Sequence, residues 1–232
     1  MKRLFNIAVA LMMVSGAMNA QTAEPTLTFF SKDAQDDVVM NPGEEQSVQA
    51  PLDITLEAHL SDYTGWKAAC EWKIYDSKQG ESSPLVTRFD ENTSYTLTKH
   101  GTYKIKLYVT FTTSDNDTIE YECEPFEVTI TESKLSCPDG FSPNNDHIND
   151  VFKVTYQSIV KMSGVFFNRW GQRVYSFDLS NVDKGWDGRQ SNGEYVKDGT
   201  YYLNLQATGS DGVKYDIKKA VTVLKGFREL NQ

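Results

Sequence analysis

The sequence lacks the spacing of three to four residues between apolar side chains that amphipathic helices show. Apolar and polar residues instead alternate along several short runs, including residues 70–74, 103–109 and 119–123. Alternation with a period of two places one face of a strand on a core and the other face in water. Turn-forming residues separate these runs, so the sequence predicts an all-β protein built from sandwich domains.

Basic residues are in the minority. The chain has 23 Lys and Arg against 32 Asp and Glu, which gives a net charge of −9. A protein of this charge repels phosphate backbones and anionic lipid headgroups. Nucleic acid is therefore not an expected partner.

Long apolar runs are missing except at the start of the chain. Lys2 and Arg3 precede a run over 4–14 in which only Asn6 is polar, and small residues follow up to Ala20. The run is too short to cross a membrane, and this arrangement is typical of a secretory signal peptide. We expect a cleaved signal peptide over 1–20, an exported chain and no integral membrane segment after cleavage.

Cysteines are few, at positions 70, 123 and 137. An exported chain meets an oxidising compartment, where one disulfide is expected and one of three cysteines stays unpaired. Cys70 and Cys123 both lie in alternating runs of the first half. We predict a Cys70–Cys123 disulfide, with Cys137 as the alternative partner of either residue.

Catalytic motifs are also absent from the sequence. The histidines His59, His100 and His147 are isolated, and no nucleophile motif or phosphate-binding glycine loop is present. Scattered carboxylates do not make a general acid–base pair. The sequence predicts a protein that is not an enzyme and has no catalytic residue.

The first predicted domain covers residues 21–132. Its stretch over 100–109, with residues 70–72 before it, resembles the PKD branch of immunoglobulin-like domains, although the usual glycine-aspartate-glycine turn is replaced over 75–78. The alternation changes phase at Glu124 and Pro125, which predicts a bulge or a change of sheet because proline cannot donate to a strand ladder. Residues 133–136 are predicted to be a short linker.

Four stretches of the second predicted domain, 137–232, carry a joint pattern. They cover 141–152, then 166–171 followed by 174–175, then 185–188, and finally 198–203 leading to 220–225. Their order and spacing resemble the gliding-motility-associated C-terminal domain, which is the type B sorting domain of type IX secretion. The resemblance implies a second immunoglobulin-like β-sandwich. The motif residues are Phe141, Pro143, Asn144, Asp146, Asn149, Asp150, Asn168, Arg169, Trp170, Gly171, Trp186, Asp187, Gly188, Gly199 and Tyr201.

The same resemblance implies a Bacteroidetes protein that is exported to the cell surface or released. The second domain would then be the sorting and anchoring signal, and the first domain an interaction module. The implied partners are the type IX translocon and a PorP/SprF-like outer-membrane protein. Two alternatives stay open: an accessory structural component of the secretion or gliding machinery, and a carbohydrate-binding module that uses Trp66, Trp72 or Trp170. A sugar platform must be exposed on one face, which separates the last alternative from the others.

The loop over 144–150 carries side-chain oxygens at Asn144, Asp146 and Asp150. This pattern predicts a calcium site, because calcium takes six to eight oxygen ligands. The alternative is a turn in which the same oxygens cap the main chain of the loop. We expect His147 to be solvated, since calcium prefers oxygen ligands.

Trp170 and Trp186 both stand beside turn-forming residues. We predict that both are buried and close the end of a small core. Arg169 is expected either to pair with Asp187 or to stack on an indole ring.

Overall fold

A computed structural model describes residues 21–32 and 34–225, and its regular structure is almost entirely β-strand. The predicted signal peptide over 1–20 lies outside these residues. Within them, no helix has the length and apolar character that crossing a membrane requires. The helical structure described is one 3-10 turn, Val182–Lys184.

The first half of the chain forms two large sheets and one small pair of strands. Its strands are β1 (Thr22–Ala23), β2 (Thr26–Ser31), β3 (Asp36–Met40), β4 (Glu45–Val48), β5 (Leu52–Glu57), β6 (Leu60–Ser61), β7 (Lys67–Asp76), β8 (Val86–Arg88), β9 (Asn92–Leu97), β10 (Gly101–Thr112), β11 (Thr118–Glu122) and β12 (Phe126–Ile130). One sheet has the order β3-β2-β5-β9, and the other has the order β4-β12-β10-β7-β8, with β11 also paired to β10.

The core of this half lies between the two large sheets. Alternate residues of β10, from Tyr103 to Phe111, are buried, as the period of two predicts. Leu27 and Ile54 contribute from the facing sheet, and Trp72 of β7 is fully buried in the same cluster. Burial of this apolar area at about 25 cal/mol per Å² is the main term that holds the sheets together.

The phase change at Glu124 and Pro125 interrupts one sheet edge. Strand β11 pairs with residues 108–112 of β10, and β12 pairs with residues 101–105 of the same strand. Both strands therefore stay in one sheet. The predicted irregularity is present, and the alternative of a change of sheet is wrong.

The structure contradicts the predicted Cys70–Cys123 disulfide, because both residues are buried free thiols. Cys70 lies in β7 opposite Val109 of β10, whereas Cys123 donates its N–H to Leu107 of β10 at 3.1 Å. Strand β10 thus separates the two cysteines. Two strand spacings are about 10 Å, which exceeds the roughly 7 Å between Cα atoms that a disulfide can bridge.

The second half forms one five-stranded sheet and a short two-stranded sheet. Its strands are β13 (Lys134–Ser136), β14 (Gly140–Phe141), β15 (Thr155–Gln157), β16 (Ile159–Phe167), β17 (Arg173–Asp178), β18 (Gly199–Gly209) and β19 (Lys214–Val223). The larger sheet has the order β14-β19-β18-β16-β17, and β13 pairs with β15. The predicted linker over 133–136 therefore contains a strand, whose Leu135 packs on the second core.

The larger sheet of the second half is covered mostly by irregular chain. Phe152, Val182, Trp186 and Val196 are buried against it, and none of them belongs to a strand. The second layer of this sandwich is thus made by side chains from loops. Large aromatic rings suit this role because each one buries much area from a single position.

Both halves contain a tyrosine whose hydroxyl group bonds to the main chain just before its own strand. Tyr103 of β10 and Tyr201 of β18 each donate a hydroxyl hydrogen bond of 2.8 Å to a carbonyl four residues earlier, on Lys99 and Lys197 respectively. Such tyrosine corners are typical of immunoglobulin-like sandwiches. The fold is therefore all-β and sandwich-like, as predicted from the sequence.

The two halves meet at a hydrogen-bonded junction. The buried hydroxyl of Ser158 lies 3.2 Å from the main-chain nitrogen of Ala50 and 2.7 Å from the Thr131 hydroxyl. Ser210 donates from its hydroxyl to the Thr131 carbonyl at 3.0 Å and accepts the His100 N–H at its own carbonyl. These polar groups are satisfied across the junction, so the halves are not joined by a free linker.

Candidate functional site

The motif residues of the second half converge on a cluster of aromatic rings around Trp186. The Trp186 ring is 1% exposed, and its Nε1–H donates to the Arg189 carbonyl at 2.8 Å. Its centroid lies 4.5 Å from Phe166 and 5.3 Å from Phe141, and it is stacked on Tyr175 at 5.6 Å. The prediction that Trp186 is a buried plug is confirmed.

Two glycines allow this cluster to close. Gly185 has φ of 67°, and a Cβ there would lie 2.7 Å from the Phe152 carbonyl oxygen. That carbonyl accepts the Trp186 N–H at 3.0 Å, so the close approach fixes the strand-like pairing of Phe152 and Trp186. Gly164 lies under the Phe177 ring, where a Cβ would come within 2.1 Å.

The remaining cluster residues come from strands β14 and β18 and from two loops. Phe141 and Tyr201 are buried, and the Tyr201 ring lies 5.7 Å from Trp186. Pro143 and Gly188 are buried beside each other, since a Cβ on Gly188 would lie 3.0 Å from Pro143. Burial is the first cause that raises the pKa of Tyr201, followed by the charge of Asp198. A neutral hydroxyl is therefore retained for the tyrosine corner.

The loop after Phe141 is held by its own acidic side chains. The Asp150 carboxylate accepts main-chain N–H bonds from Asn144 at 3.0 Å, Asn145 at 2.6 Å and His147 at 2.8 Å. Burial acts to raise the pKa of Asp150, but these donors outweigh it, and the pKa lies below its ordinary value. Asp146 caps Ile148 in the same way, at 2.7 Å.

This geometry is that of the self-capped turn considered as the alternative to calcium. Exposed Asn149 completes the turn, with its carbonyl accepting the Ser142 N–H at 2.8 Å. Calcium at Asn144, Asp146 and Asp150 stays a prediction, for which titration calorimetry with calcium is the direct measurement. Among the described residues, no three His, Cys, Asp or Glu side chains are grouped as metal ligands.

The second motif forms the tip of the β16–β17 hairpin. The Asn168 side chain accepts the N–H groups of Trp170 and Gln172, both at 3.0 Å, and Gly171 donates to the Asn168 carbonyl. Trp170 is nevertheless 70% exposed. The prediction that Trp170 is buried is wrong, because the turn points this side chain away from the core.

Arg169 takes the stacking arrangement. Its guanidinium lies 4.4 Å from the centre of the Trp170 ring. Asp187 instead pairs with Arg189, at 3.3 Å, so the alternative Arg169–Asp187 pair is not formed. Arg189 also stacks on Tyr195, 4.1 Å from the ring centre.

Solvent exposure separates the three tryptophans considered as sugar platforms. Trp72 is fully buried and is excluded. Trp66 is half-buried and packs on the first core. Trp170 alone among the three is largely exposed. It borders a groove of about 310 Å³ that Gly199 and Tyr201 also line.

Sequence reasoning missed several residues that build these sites. Gly164 interrupts a strand, which is a known sign of close approach by another group. Ser158, Ser210 and Asp211 carry no sequence pattern, and their role at the junction depends on strands that are distant along the chain.

The fold and the motif cluster define an all-β protein whose second sandwich is closed by a tryptophan-centred set of loops. Residues 135–223 match the model of the CHU_C Type IX secretion signal domain. This part of the chain is therefore similar to the type IX secretion signal domain, as the resemblance of the motifs implied.

Solved structures give only distant likenesses. The fibronectin(III)-like modules of CbhA from Clostridium thermocellum share 14% identity at a TM-score of 0.26, over 89% of this chain and 97% of that chain. Dimeric latent PorU from Porphyromonas gingivalis shares 13% identity at a TM-score of 0.28, over 88% of this chain and 20% of that chain. At such scores they carry no argument about function. No curated protein is similar enough to count as a match.

Proposed function

We propose that this protein is exported by type IX secretion and held at the cell surface, with the second domain as its sorting and anchoring signal. The observation that carries the proposal is the match of residues 135–223 to a type IX secretion signal domain. The domain also has its own buried core, so it would be recognised as a folded sorting signal. A PorP/SprF-like outer-membrane protein is the proposed anchor.

The first domain is proposed to be a non-catalytic interaction module. Charged side chains on its surface form ion pairs with each other, such as Lys104 with Glu127 at 3.5 Å. Its thiols, Cys70 and Cys123, are buried, and burial raises the pKa of each. A raised pKa leaves little thiolate at neutral pH, which does not favour nucleophilic chemistry.

The test is the location of a chain truncated after Glu132, compared with the full chain, in cells with and without a working type IX translocon. We expect the full chain at the surface only when the translocon works, and the truncated chain in the periplasm in both strains. Thermal melts of the recovered truncated protein check that the first domain is folded. Surface display of the folded truncated chain would contradict the proposal.

A carbohydrate-binding function is the second candidate, and the exposed ring of Trp170 is the observation that favours it. Its measurement is calorimetric titration of the full chain with soluble polysaccharides, beside Trp170→Ala. Binding that disappears in the variant would support this function.

A further inference from the structure

Hydrogen bonds fix the turn at the hairpin tip, and the Trp170 ring on this turn is exposed to solvent. Besides accepting two N–H groups, the Asn168 side chain donates to the Gln172 Oε1 at 2.9 Å, and the Asn168 main-chain N–H donates to the Gln172 carbonyl at 2.9 Å. The turn is thus complete without any contribution from the indole. A large apolar ring that is exposed on a fixed turn adds little to stability, and tryptophan is enriched at protein interfaces.

The tip lies at the end of the molecule opposite to the junction. Strand β16 runs from Ile159, next to the junction, to Phe167, next to the hairpin turn. Nine strand residues place the turn roughly 25–30 Å from the junction. Strand β19 ends at the same side, since Val223 pairs with Gly199. We call the hairpin over 168–173, the segment over 187–199 and Lys225 the distal tip.

The distal tip carries aromatic rings that are stacked with cations. Arg169 lies on Trp170, and Tyr195, which is 43% exposed, has Arg189 at 4.1 Å and Lys225 at 5.0 Å from its ring centre. A guanidinium on an indole keeps its in-plane donors free to hold a carboxylate with two hydrogen bonds. Tryptophan, tyrosine and arginine are also the residues in which binding energy concentrates at interfaces.

The charge of the distal tip is opposite to that of the whole chain. It has five basic residues against three acidic ones, in a chain of net charge −9. Asp187 is paired with Arg189, whereas no ion pair of Arg169 is present among the described residues. An acidic partner would be repelled by most of this molecule and attracted at this end, which orients the encounter.

We propose that the distal tip docks on an acidic protein surface during export, with Trp170 as the apolar anchor and Arg169 as the carboxylate-binding group. The groove between the hairpin and residues 196–201 receives the partner. The proposal rests on the sorting function and names the surface through which it works.

The test compares the export of full-length variants in cells with a working translocon. Trp170→Ala and Arg169→Glu should lower surface display by about tenfold or more, as loss of a binding anchor does. Their purified proteins should melt within about 2 °C of the parent, because neither side chain is packed. Arg88→Glu and Phe89→Ala are the matched controls, since these neighbours in the first domain are also exposed, with Phe89 at 73%. We expect both controls to be displayed normally.

The nature of the partner is tested at the same two positions. Arg169→Gln should be displayed better than Arg169→Glu, because only the second variant repels carboxylates. A photo-crosslinking residue at position 170 should form an adduct with a protein in living cells, and the linked segment of that protein should be acidic. An adduct with glycan alone, a neutral or basic protein contact, or no adduct would overturn the proposal.

The outcomes for the tip and for the sorting function are distinguishable. Normal display of Trp170→Ala and Arg169→Glu would overturn the docking role, even though the truncated chain stays in the periplasm. An equal loss of display in Arg88→Glu and Phe89→Ala would also overturn it. Display of the folded truncated chain would refute the sorting function itself.

Discussion

At the scale of the single residue, Trp186 combines three kinds of contact. Its main chain pairs with Phe152, its Nε1–H is satisfied by the Arg189 carbonyl, and its ring packs against both Phe166 and Tyr175. The ring replaces the side chains that a complete second sheet would supply. Trp170 has the same side chain beside a similar turn, but it is 70% exposed and stacks with Arg169.

This difference in burial predicts that replacing each tryptophan with alanine destabilises the protein to a different extent. Trp186→Ala should lower the free energy of unfolding by about 3–5 kcal/mol, through lost burial and the cavity left behind. Trp170→Ala should change it by less than about 0.5 kcal/mol, as exposed positions do. Urea unfolding of the purified protein measures both. Equal midpoints for the two variants would refute the structural assignment of the rings.

The lowered pKa of Asp150 predicts that the stability of the fold depends on pH in the acidic range. Its pKa is lower in the folded chain because main-chain donors outweigh the effect of burial. The folded state therefore gains stability above the ordinary pKa of about 4, and this gain is lost as the pH falls through the lower folded value. Asp150→Asn should melt below the parent at neutral pH, and the difference should shrink in strong acid. Melting curves across this range give the answer, with exposed Asp115→Asn as the control. A constant difference at every pH would show that the Asp150 charge has no such role.

At the scale of the element, strand β16 shows how one small residue shapes a sheet. Gly164 faces the core below the Phe177 ring, and the ring of Phe177 lies 6.4 Å from that of Phe166. A side chain at position 164 would push Phe177 out of the aromatic cluster. The adjacent Ser163 is exposed on the other face, as strand geometry requires.

Gly164→Ala is expected to cost about 1–3 kcal/mol of folding free energy, because an extra methyl group overpacks the core. Ser163→Ala should be nearly neutral. Combining Gly164→Ala with Phe177→Leu should cost less than the sum of the two single changes, since the shorter side chain makes room. Denaturant midpoints of the four variants test the coupling, and strict additivity would contradict it.

At the scale of the whole molecule, the junction joins the two sandwiches directly. Val160 of β16 packs on the first core, and Asp211 accepts the Ser133 N–H at 2.9 Å. Burial acts to raise the pKa of Asp211, yet the bonds from Ser133 and Val213 lower it below its ordinary value. Within the described residues, the distal tip is thereby held away from the first domain, at the opposite end of the second.

Ser158→Ala tests the junction. The change removes the hydroxyl partner of the Ala50 N–H and of the Thr131 hydroxyl, and a buried polar group without a partner costs about 1–3 kcal/mol. We expect a lower melting temperature and a wider separation between the unfolding of the two domains in calorimetry. Ser176→Ala, at an exposed position of β17, is the matched control. A parent-like melt of Ser158→Ala would show that the junction bonds are not stabilising.

The sequence by itself determined the strand content, the inward face of strands such as β10, and the motif order of the second domain. Period-two alternation and turn chemistry are local properties, so they can be read without knowing which strands are neighbours. The burial of Trp186 and the self-capped loop at Asp150 followed from the same local rules. Only the tertiary structure decided the rest. It placed β10 between Cys70 and Cys123, directed Trp170 into water and made Ser158 the link between domains. Each of these depends on strand order and side-chain direction, which arise from contacts between residues distant in sequence.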